Sequence, residues 1–182
     1  MVKKEKFWKT VKEKIIHKSY GGKFFHNKVL NPQKQKSTYS YYYINRGASV
    51  IPVDKKGNIY FLKEYRYPTR SWECEPIGGG ISKGETPIMA ARKELLEEAG
   101  IIAKKLTLLG KTKVMPGNLD TLTTGFLATN LQFATPNREV GEVQKLIKMP
   151  IKKAIEQALT GKIKNAELVT YILRAAKKLK KI

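Results

Sequence analysis

Three glutamates, Glu94, Glu97 and Glu98, stand close together in the segment GGGISKGETPIMAARKELLEEAGI (78–101) of a strongly basic chain. The whole sequence has 36 Lys and Arg against only 15 Asp and Glu. On a helix over residues 87–99 these carboxylates occupy positions i, i+3 and i+4, where like charges repel. Two arrangements relieve the repulsion: a solvated face compensated by the neighbouring basic residues, or a hard divalent cation such as Mg²⁺ bound by carboxylate oxygens.

The glycines before these carboxylates indicate a close approach of the backbone to a ligand. Gly78, Gly79 and Gly80 are consecutive, and Gly84 follows just before the expected helix. Without a Cβ atom, glycine allows conformations and contacts that other residues prevent. The segment has neither the Gly-Lys-Ser/Thr ending of a Walker A loop nor a GxGxxG pattern. Zinc is not favoured, because the two histidines lie far from the segment and the single cysteine stands alone.

The spacing of the segment resembles the signature of the Nudix hydrolase family, G-x5-E-x7-R-E-U-x-E-E-x-G-U, in which U is a bulky aliphatic residue. Eight of the nine defined positions match, namely Gly79, Glu85, Glu94, Leu95, Glu97, Glu98, Gly100 and Ile101. The one departure is Lys93, where the family has an arginine that braces a neighbouring carboxylate. The resemblance implies an α/β/α sandwich with a mixed sheet, and attack of water on a pyrophosphate bond.

The flanking residues resemble the ADP-ribose pyrophosphatase branch of this family. EYRYP (64–68) is similar to the Gln-Tyr-Arg-type strand end of the branch, and WECEPIGG (72–79) to its Trp-x-x-Glu lead-in. Pro116 stands fifteen residues after Ile101, where the branch has a proline. Such enzymes share or exchange a small N-terminal antiparallel sheet in a homodimer, so a homodimer is expected here.

The resemblance assigns metal-binding roles to the acidic helix. Glu94 and Glu98 are the expected ligands of Mg²⁺, with Mn²⁺ as an alternative ion. Glu97 is the third expected carboxylate, and the backbone carbonyl of Gly78 would complete the site. Glu97 and Glu98 are thereby also candidate catalytic residues.

The general base is expected on a later loop. In the branch a carboxylate from such a loop approaches the attacking water, and REVGEVQ (138–144) is the matching segment. Glu142 is the first candidate and Glu139 the second.

The substrate-binding candidates lie on both sides of the signature. Arg66 suits a phosphate, because its planar guanidinium binds phosphate with two hydrogen bonds. Glu75 could hydrogen-bond the ribose or base, and Trp72 could stack on an adenine. Each has an ordinary structural alternative, at a strand end or as a core anchor. The remaining candidates are Gly79, Pro116 and Asp120.

The secondary structure around the signature is predicted from the spacing of apolar residues and from residues typical of turns and helix ends. Apolar residues at helical spacing predict an amphipathic helix over 3–16. Strands are expected over 23–30 and 37–44, and a hairpin is expected from 47–53 and 59–65. Thr86, Pro87 and Gly100 are typical boundary residues of the signature helix. Further strands near 105–114 and 122–131 and helices after 149 complete a mixed α/β chain.

Composition bounds the class of protein. The 182 residues, 41% apolar and 28% charged, are typical of one globular domain. We expect a single Nudix domain over 1–182, with residues 1–45 as the dimer-forming part and 46–182 as the catalytic core. No run approaches the roughly 20 apolar residues of a membrane span. With one cysteine and no export-signal pattern, the cytoplasm is the expected compartment.

The net charge of +21 leaves two interpretations open. Only six of the basic residues are Arg, and the lysines are scattered, which favours a solubilising surface. The alternative is attraction to nucleic acid or to a phosphorylated small molecule. The leading function that the family resemblance implies is Mg²⁺-dependent hydrolysis of ADP-ribose to AMP and ribose 5-phosphate. The alternatives are another nucleotide sugar, a dinucleotide or an RNA 5′ end as substrate, or a non-catalytic nucleotide- or RNA-binding module.

Overall fold

A computed structural model describes residues 7–136 and 144–182. The chain divides into two compact units, Met1–Asn45 with Lys113–Thr121, and Arg46–Thr112 with Leu122–Ile182. We call the first the N-terminal unit and the second the core unit. In the described ranges no helix is long and apolar enough to cross a lipid bilayer.

The N-terminal unit is a five-stranded sheet. Its strands are β1 (Lys9–Lys12), β2 (Ile15–Ser19), β3 (Gly22–Leu30), β4 (Lys36–Ile44) and β10 (Leu119–Asp120). The order is β1-β3-β4-β10, and β2 also pairs with β3. β3 and β4 form an antiparallel pair over their whole length, which confirms the two strands predicted over 23–30 and 37–44.

The predicted N-terminal helix is wrong where the structure describes it. Residues 9–12 and 15–19 are strands that pair with the edge of β3. The turn between them is held by the buried side chain of Asn27, whose Oδ1 accepts the N–H of Lys14 at 3.0 Å. The apolar spacing fits a helix, but a neighbouring strand offers unpaired backbone groups to a segment rich in β-branched residues.

The core unit contains seven strands and three helices among its described residues. Its elements are β5 (Gly47–Pro52), β6 (Asn58–Arg66), β7 (Ser71–Glu75), β8 (Ile77–Gly80), α1 (Pro87–Ala99), β9 (Ile101–Thr112), β11 (Thr123–Phe133), β12 (Gln144–Pro150), α2 (Ile151–Leu159) and α3 (Ala166–Lys178). The strands form two sheets, ordered β8-β5-β11-β9 and β12-β6-β7. The strands predicted near 105–114 and 122–131 correspond to β9 and β11.

The predicted hairpin of residues 47–53 and 59–65 is right in its turn and wrong in its pairing. Asp54 closes the turn, because its carboxylate accepts the N–H of Asn58 and the hydroxyl of Tyr60, both at 2.9 Å. Only the bridge between Val53 and Ile59 joins the two strands. Beyond it β5 and β6 diverge into different sheets, because both faces of each strand are buried against separate layers.

Alternating residues of β5, β6 and β11 face two separate apolar clusters. One cluster lies under α1 and includes Val50, Leu62, Leu95 and Phe126. The other lies under α2 and α3 and includes Ile51, Phe61, Leu127 and Ile172. The sheets therefore lie between helices on both faces, and the predicted α/β/α class is confirmed.

A glycine in β11 tests this packing. A Cβ atom at Gly125 would overlap the ring of Tyr171, a fully buried side chain of α3. The ring cannot swing away freely, because its hydroxyl hydrogen-bonds the carbonyl of Thr123 at 3.0 Å. We expect Gly125→Ala to lower the free energy of unfolding by about 1–3 kcal/mol in urea denaturation.

Gly117→Ala is the matched control, since an added Cβ there meets no atom within 4 Å. It should change the same quantity by less than about 0.5 kcal/mol. Equal effects of the two substitutions would contradict the packing described for α3.

Candidate active site

Helix α1 begins and ends where its capping residues place it. Thr86 Oγ1 accepts the N–H of Met89 at 3.3 Å, and Pro87 occupies the first turn. At the other end Gly100 adopts a left-handed conformation with φ 61°, and its N–H donates to the carbonyl of Leu96 at 2.9 Å. The predicted helix bounds are confirmed, which fixes the rotation of the glutamates about the helix axis.

The buried face of α1 includes one of these glutamates. It consists of Ala90, Ala91, Leu95, Glu98 and Ala99. Ile88, although apolar, is 41% exposed. Glu98 is only 9% exposed, so the solvated-face interpretation fails for this carboxylate. A buried carboxylate is stable only with hydrogen bonds or opposite charge around it.

Gly78 and Gly79 of β8 lie directly against the two central carboxylates. The N–H of Gly78 donates to Glu98 Oε2 at 2.8 Å. A Cβ atom at Gly79 would lie 2.5 Å from Glu94 Oε1 and 3.0 Å from Oε2, so no larger residue fits there without displacing Glu94. We call Gly78, Gly79, Glu94 and Glu98 the glycine–glutamate cradle.

Glu97 lies apart from this cradle in its described contacts. Its Oε2 is 3.8 Å from Lys93 Nζ, and both side chains are more than a third exposed. Arg92, a basic residue next to Lys93 in sequence, donates to the carbonyl of Ala103 at 2.7 Å and joins α1 to β9.

Glu85, the first glutamate of the signature, organises the loop that leads into α1. Its Oε2 accepts the N–H of Ser82 at 2.8 Å, and its own N–H donates to the carbonyl of Ser82 at 3.1 Å. The glycine between them, Gly84, has φ 87°, a conformation that favours glycine.

Arg66 is held by two carboxylates on the same side of the sheet. Its Nε and Nη2 donate to Glu75 at 2.9 and 2.6 Å, and its Nη1 lies 2.8 Å from Glu64 Oε1. The hydrogen bonds that Arg66 donates to Glu75 raise the pKa of the guanidinium, and the charges of Glu75, Glu64 and Glu98 add to this against the effect of burial. Arg66 therefore contacts Glu64 and Glu75 and is influenced by the charge of Glu98, with its side chain still 46% exposed.

The cradle suits a hard divalent cation that also binds substrate. Within the described residues no group of three Asp, Glu, His or Cys side chains is placed to hold a metal by itself. Mg²⁺ commonly uses one or two carboxylates and completes its coordination with water and substrate phosphates. Two carboxylates beside the half-buried Gly78 and Gly79, where a Cβ at Gly79 would fill the space, fit that mode.

Comparison with protein families identifies the same region. A family model of the NUDIX domain matches residues 44–171, which include the whole cradle. The chain belongs to the NUDIX family. The resemblance based on the signature spacing is therefore confirmed.

Individual relatives extend the comparison. The chain is 36% identical over 94 residues to an ADP-ribose pyrophosphatase of Bacillus subtilis (strain 168), over 52% of this chain and 51% of that protein. It is 31% identical to an ADP-ribose pyrophosphatase of Mycobacterium tuberculosis (strain ATCC 25618 / H37Rv), over 69% of this chain and 62% of that protein. The chain thus spans about half to three fifths of these curated relatives.

A solved structure shows the same fold over nearly the whole chain. The crystal structure of an ADP compounds hydrolase superposes with a TM-score of 0.83, covering 96% of this chain and 95% of that one. The sequence identity is 20%, so this likeness concerns the fold.

Not all predicted site residues meet at the NUDIX cradle. Trp72 pairs with Tyr65 on the face of β6 and β7 opposite to Arg66, because successive residues of a strand alternate between faces. Pro116 and Asp120 lie in Lys113–Thr121, which belongs to the N-terminal unit, and their role in the site stays a prediction. Glu139 and Glu142, the candidate bases, lie outside the described residues.

One buried and one half-buried carboxylate of the NUDIX core were not predicted. Glu64, 7% exposed, follows the apolar run of β6 and looks in sequence like a strand-end surface residue. Glu167 lies in the first turn of α3, where an acidic residue is typical of a helix start. The partner of Glu167, Ser49, is distant in the chain, and the pairing of Glu64 with Arg66 is recognised only once both are placed on one face of β6.

Glu167 generates a pH-dependent prediction. Burial raises the pKa of its carboxyl above the ordinary 4.5, and hydrogen bonds from Ser49 and Thr123 offset only part of this. Because the folded state holds the proton more tightly, ionisation costs folding free energy as pH rises from about 4.5 through the folded pKa. Gln cannot ionise and can still accept the Ser49 hydroxyl, which lies 2.7 Å from Glu167 Oε1.

We therefore expect Glu167→Gln to raise the melting temperature at neutral pH, with a gain that shrinks toward pH 4. Thermal unfolding from pH 4 to 8 measures this. Glu156→Gln is the control for loss of a carboxylate at a 61% exposed side chain and should show a smaller gain at neutral pH. A gain for Glu167→Gln that grows as pH falls would contradict the assignment.

Proposed function

We propose that this protein catalyses the Mg²⁺-dependent hydrolysis of the pyrophosphate bond of a nucleoside diphosphate linked to another group. ADP-ribose is the favoured substrate, with AMP and ribose 5-phosphate as products. The observation that carries the proposal is the close approach of Gly78 and Gly79 to Glu98 and Glu94. The names of the two pyrophosphatase relatives support the substrate.

Glu94 and Glu98 are the residues that would hold the Mg²⁺, with the carbonyl of Gly78 as a backbone ligand. When bound, Mg²⁺ neutralises charge on the diphosphate and makes water a better nucleophile. The Gly78 N–H fixes one oxygen of Glu98, which leaves the carboxylate oriented before substrate arrives. Glu97 remains a candidate third carboxylate that would have to leave Lys93 to take part.

Arg66 and Glu75 would orient the diphosphate and its nucleoside. The guanidinium of Arg66 is fixed by Glu75 and remains 46% exposed, so it can present N–H groups to a phosphate without reorganisation. Glu142, the first candidate, or Glu139, the second, would take the proton from the attacking water. Trp72 is left out of this set, because its ring lies on the opposite face of the sheet from Arg66.

A homodimer that uses the N-terminal sheet is part of the proposal. The edge strand β1 and the residues just before it expose large apolar side chains, namely Phe7, Trp8 and Val11. Exposed apolar side chains along a sheet edge are typical of association surfaces. Weak attraction to nucleic acid follows from the net charge of +21 and should disappear at high salt.

A substrate panel with Glu98→Gln tests the reaction. We expect turnover of ADP-ribose in preference to other nucleotide sugars, dinucleoside polyphosphates and capped RNA, and only with Mg²⁺ present. Glu98→Gln removes one charge from the cradle and should lower kcat by at least about 100-fold, as loss of a transition-state contact does. Product release measured by chromatography reports both results.

Glu156→Gln, which removes one exposed carboxylate from α2, is the control and should keep full activity. No turnover of any panel member with Mg²⁺ would sink the enzymatic proposal. Full activity in Glu98→Gln would show that the cradle does not hold the metal.

The lysine in the signature gives a second test of the site. Arg at position 93 could reach Glu97 with a planar fork, where the Lys93 ammonium now lies 3.8 Å away. We expect Lys93→Arg to leave kcat/KM equal or higher. Lys104→Arg is the control, because it makes the same replacement at an exposed position of β9 outside the signature. A marked loss confined to Lys93→Arg would show that the site is adapted to lysine.

A further inference from the structure

Glu64 occupies an unusual place for a carboxylate. It lies in the central strand of the sheet β12-β6-β7, directly between Gln144 on one side and Glu73 on the other. The side chain is only 10% exposed. Desolvating a carboxylate beside another one is costly unless a cation lies within contact distance.

Arg66 is that cation, and it is shared. Of its five N–H groups, two donate to Glu75 and a third points to Glu64, at 2.6 to 2.9 Å. The two carboxylates come from neighbouring strands, so they clamp the guanidinium from two directions. Glu73, although next to Glu64, is bonded instead to the hydroxyl of Ser71.

We propose that Glu64 is a positioning residue that sets how much positive charge Arg66 offers to a bound diphosphate. This proposal rests on the proposed function, because it takes a diphosphate as the anion that Arg66 binds. Glu75 alone fixes the guanidinium with two parallel hydrogen bonds. Glu64 adds a second negative charge on the same group, and this charge competes with the phosphate for the guanidinium.

The consequence is weaker binding of a diphosphate that is not accompanied by a divalent cation. Among the described residues, Glu64 and Glu75 contact the guanidinium of Arg66, and the charge of Glu98 also acts on it. A diphosphate without a divalent ion is therefore repelled by the site, and the strength of that repulsion depends on Glu64. A neutral amide at position 64 would keep the acceptor for Nη1 and remove the competing charge.

Binding of inorganic pyrophosphate in EDTA tests this without any turnover. Titration calorimetry in 0.15 M NaCl would compare the parent protein with Glu64→Gln. We expect the Kd of pyrophosphate to fall about fivefold in Glu64→Gln, the effect of removing one partly screened charge at contact distance. Where an activity assay is established, KM should fall while kcat stays within about twofold, as for a change in ground-state binding.

Glu73→Gln is the matched control, because it removes the same charge from the neighbouring strand without touching Arg66. Its effect on Kd should stay below about twofold, since a charge outside contact distance is screened. A second comparison places Glu64→Gln in an Arg66→Gln background. There the fivefold effect should shrink to that of Glu73→Gln, because the guanidinium that Glu64 restrains is gone.

Three results would overturn the proposal. They are an unchanged or weaker Kd in Glu64→Gln, an equal effect in Glu73→Gln, and a fivefold effect that persists without Arg66. Pyrophosphate bound by surface lysines would give the first of these. Should Glu64→Gln fold poorly by thermal melting, Glu64→Asp retracts the carboxylate from Nη1 and should shift Kd in the same direction by less.

Absence of enzymatic turnover would not affect this readout, so the two proposals can fail separately. Turnover with an unchanged Kd in Glu64→Gln would sink the role of Glu64 alone. Tighter pyrophosphate binding in Glu64→Gln with no turnover of any nucleotide would sink the proposed reaction alone.

Discussion

The hydrogen bond from the Gly78 N–H to Glu98 Oε2, 2.8 Å long, is the contact on which the site depends. It joins a strand to a helix that follows it in sequence, and it places a buried carboxylate at a fixed depth. The helix caps set the rotation of Glu98, and the absent side chain of Gly79 leaves room for Glu94. The glycines and the glutamates of the signature are therefore one structural unit, since a side chain at Gly79 would displace Glu94 and the Gly78 N–H binds Glu98.

The few carboxylates of this basic chain are unevenly distributed. A chain of net charge +21 keeps several of its few carboxylates on one side of its core sheets, with Arg66 among them. Under the proposed function, the net positive charge would attract phosphorylated molecules over a distance, and the carboxylates would reject them at short range unless a divalent cation is present. Long-range attraction and short-range selection would then be supplied by different residues, with Glu64 in the second group.

Sequence reasoning succeeded where function fixes spacing and failed where tertiary partners decide. The helix over 87–99 and its carboxylates were predictable, because caps and signature spacing are local. The helix predicted over 3–16 was wrong, because the edge of β3 provides hydrogen bonds that periodicity does not reveal. The ion pairs of Arg66 could not be predicted either, because Glu75 becomes its neighbour only when β6 and β7 pair.

The central claim is that the glycine–glutamate cradle holds a divalent cation. Paramagnetic broadening of backbone amide signals by substoichiometric Mn²⁺ tests it most directly, because broadening falls steeply with distance from the ion. The account predicts that the amides of Gly78 and Gly79 broaden first and that excess Mg²⁺ restores them. Broadening that begins elsewhere, or that spares Gly78 and Gly79, would contradict it.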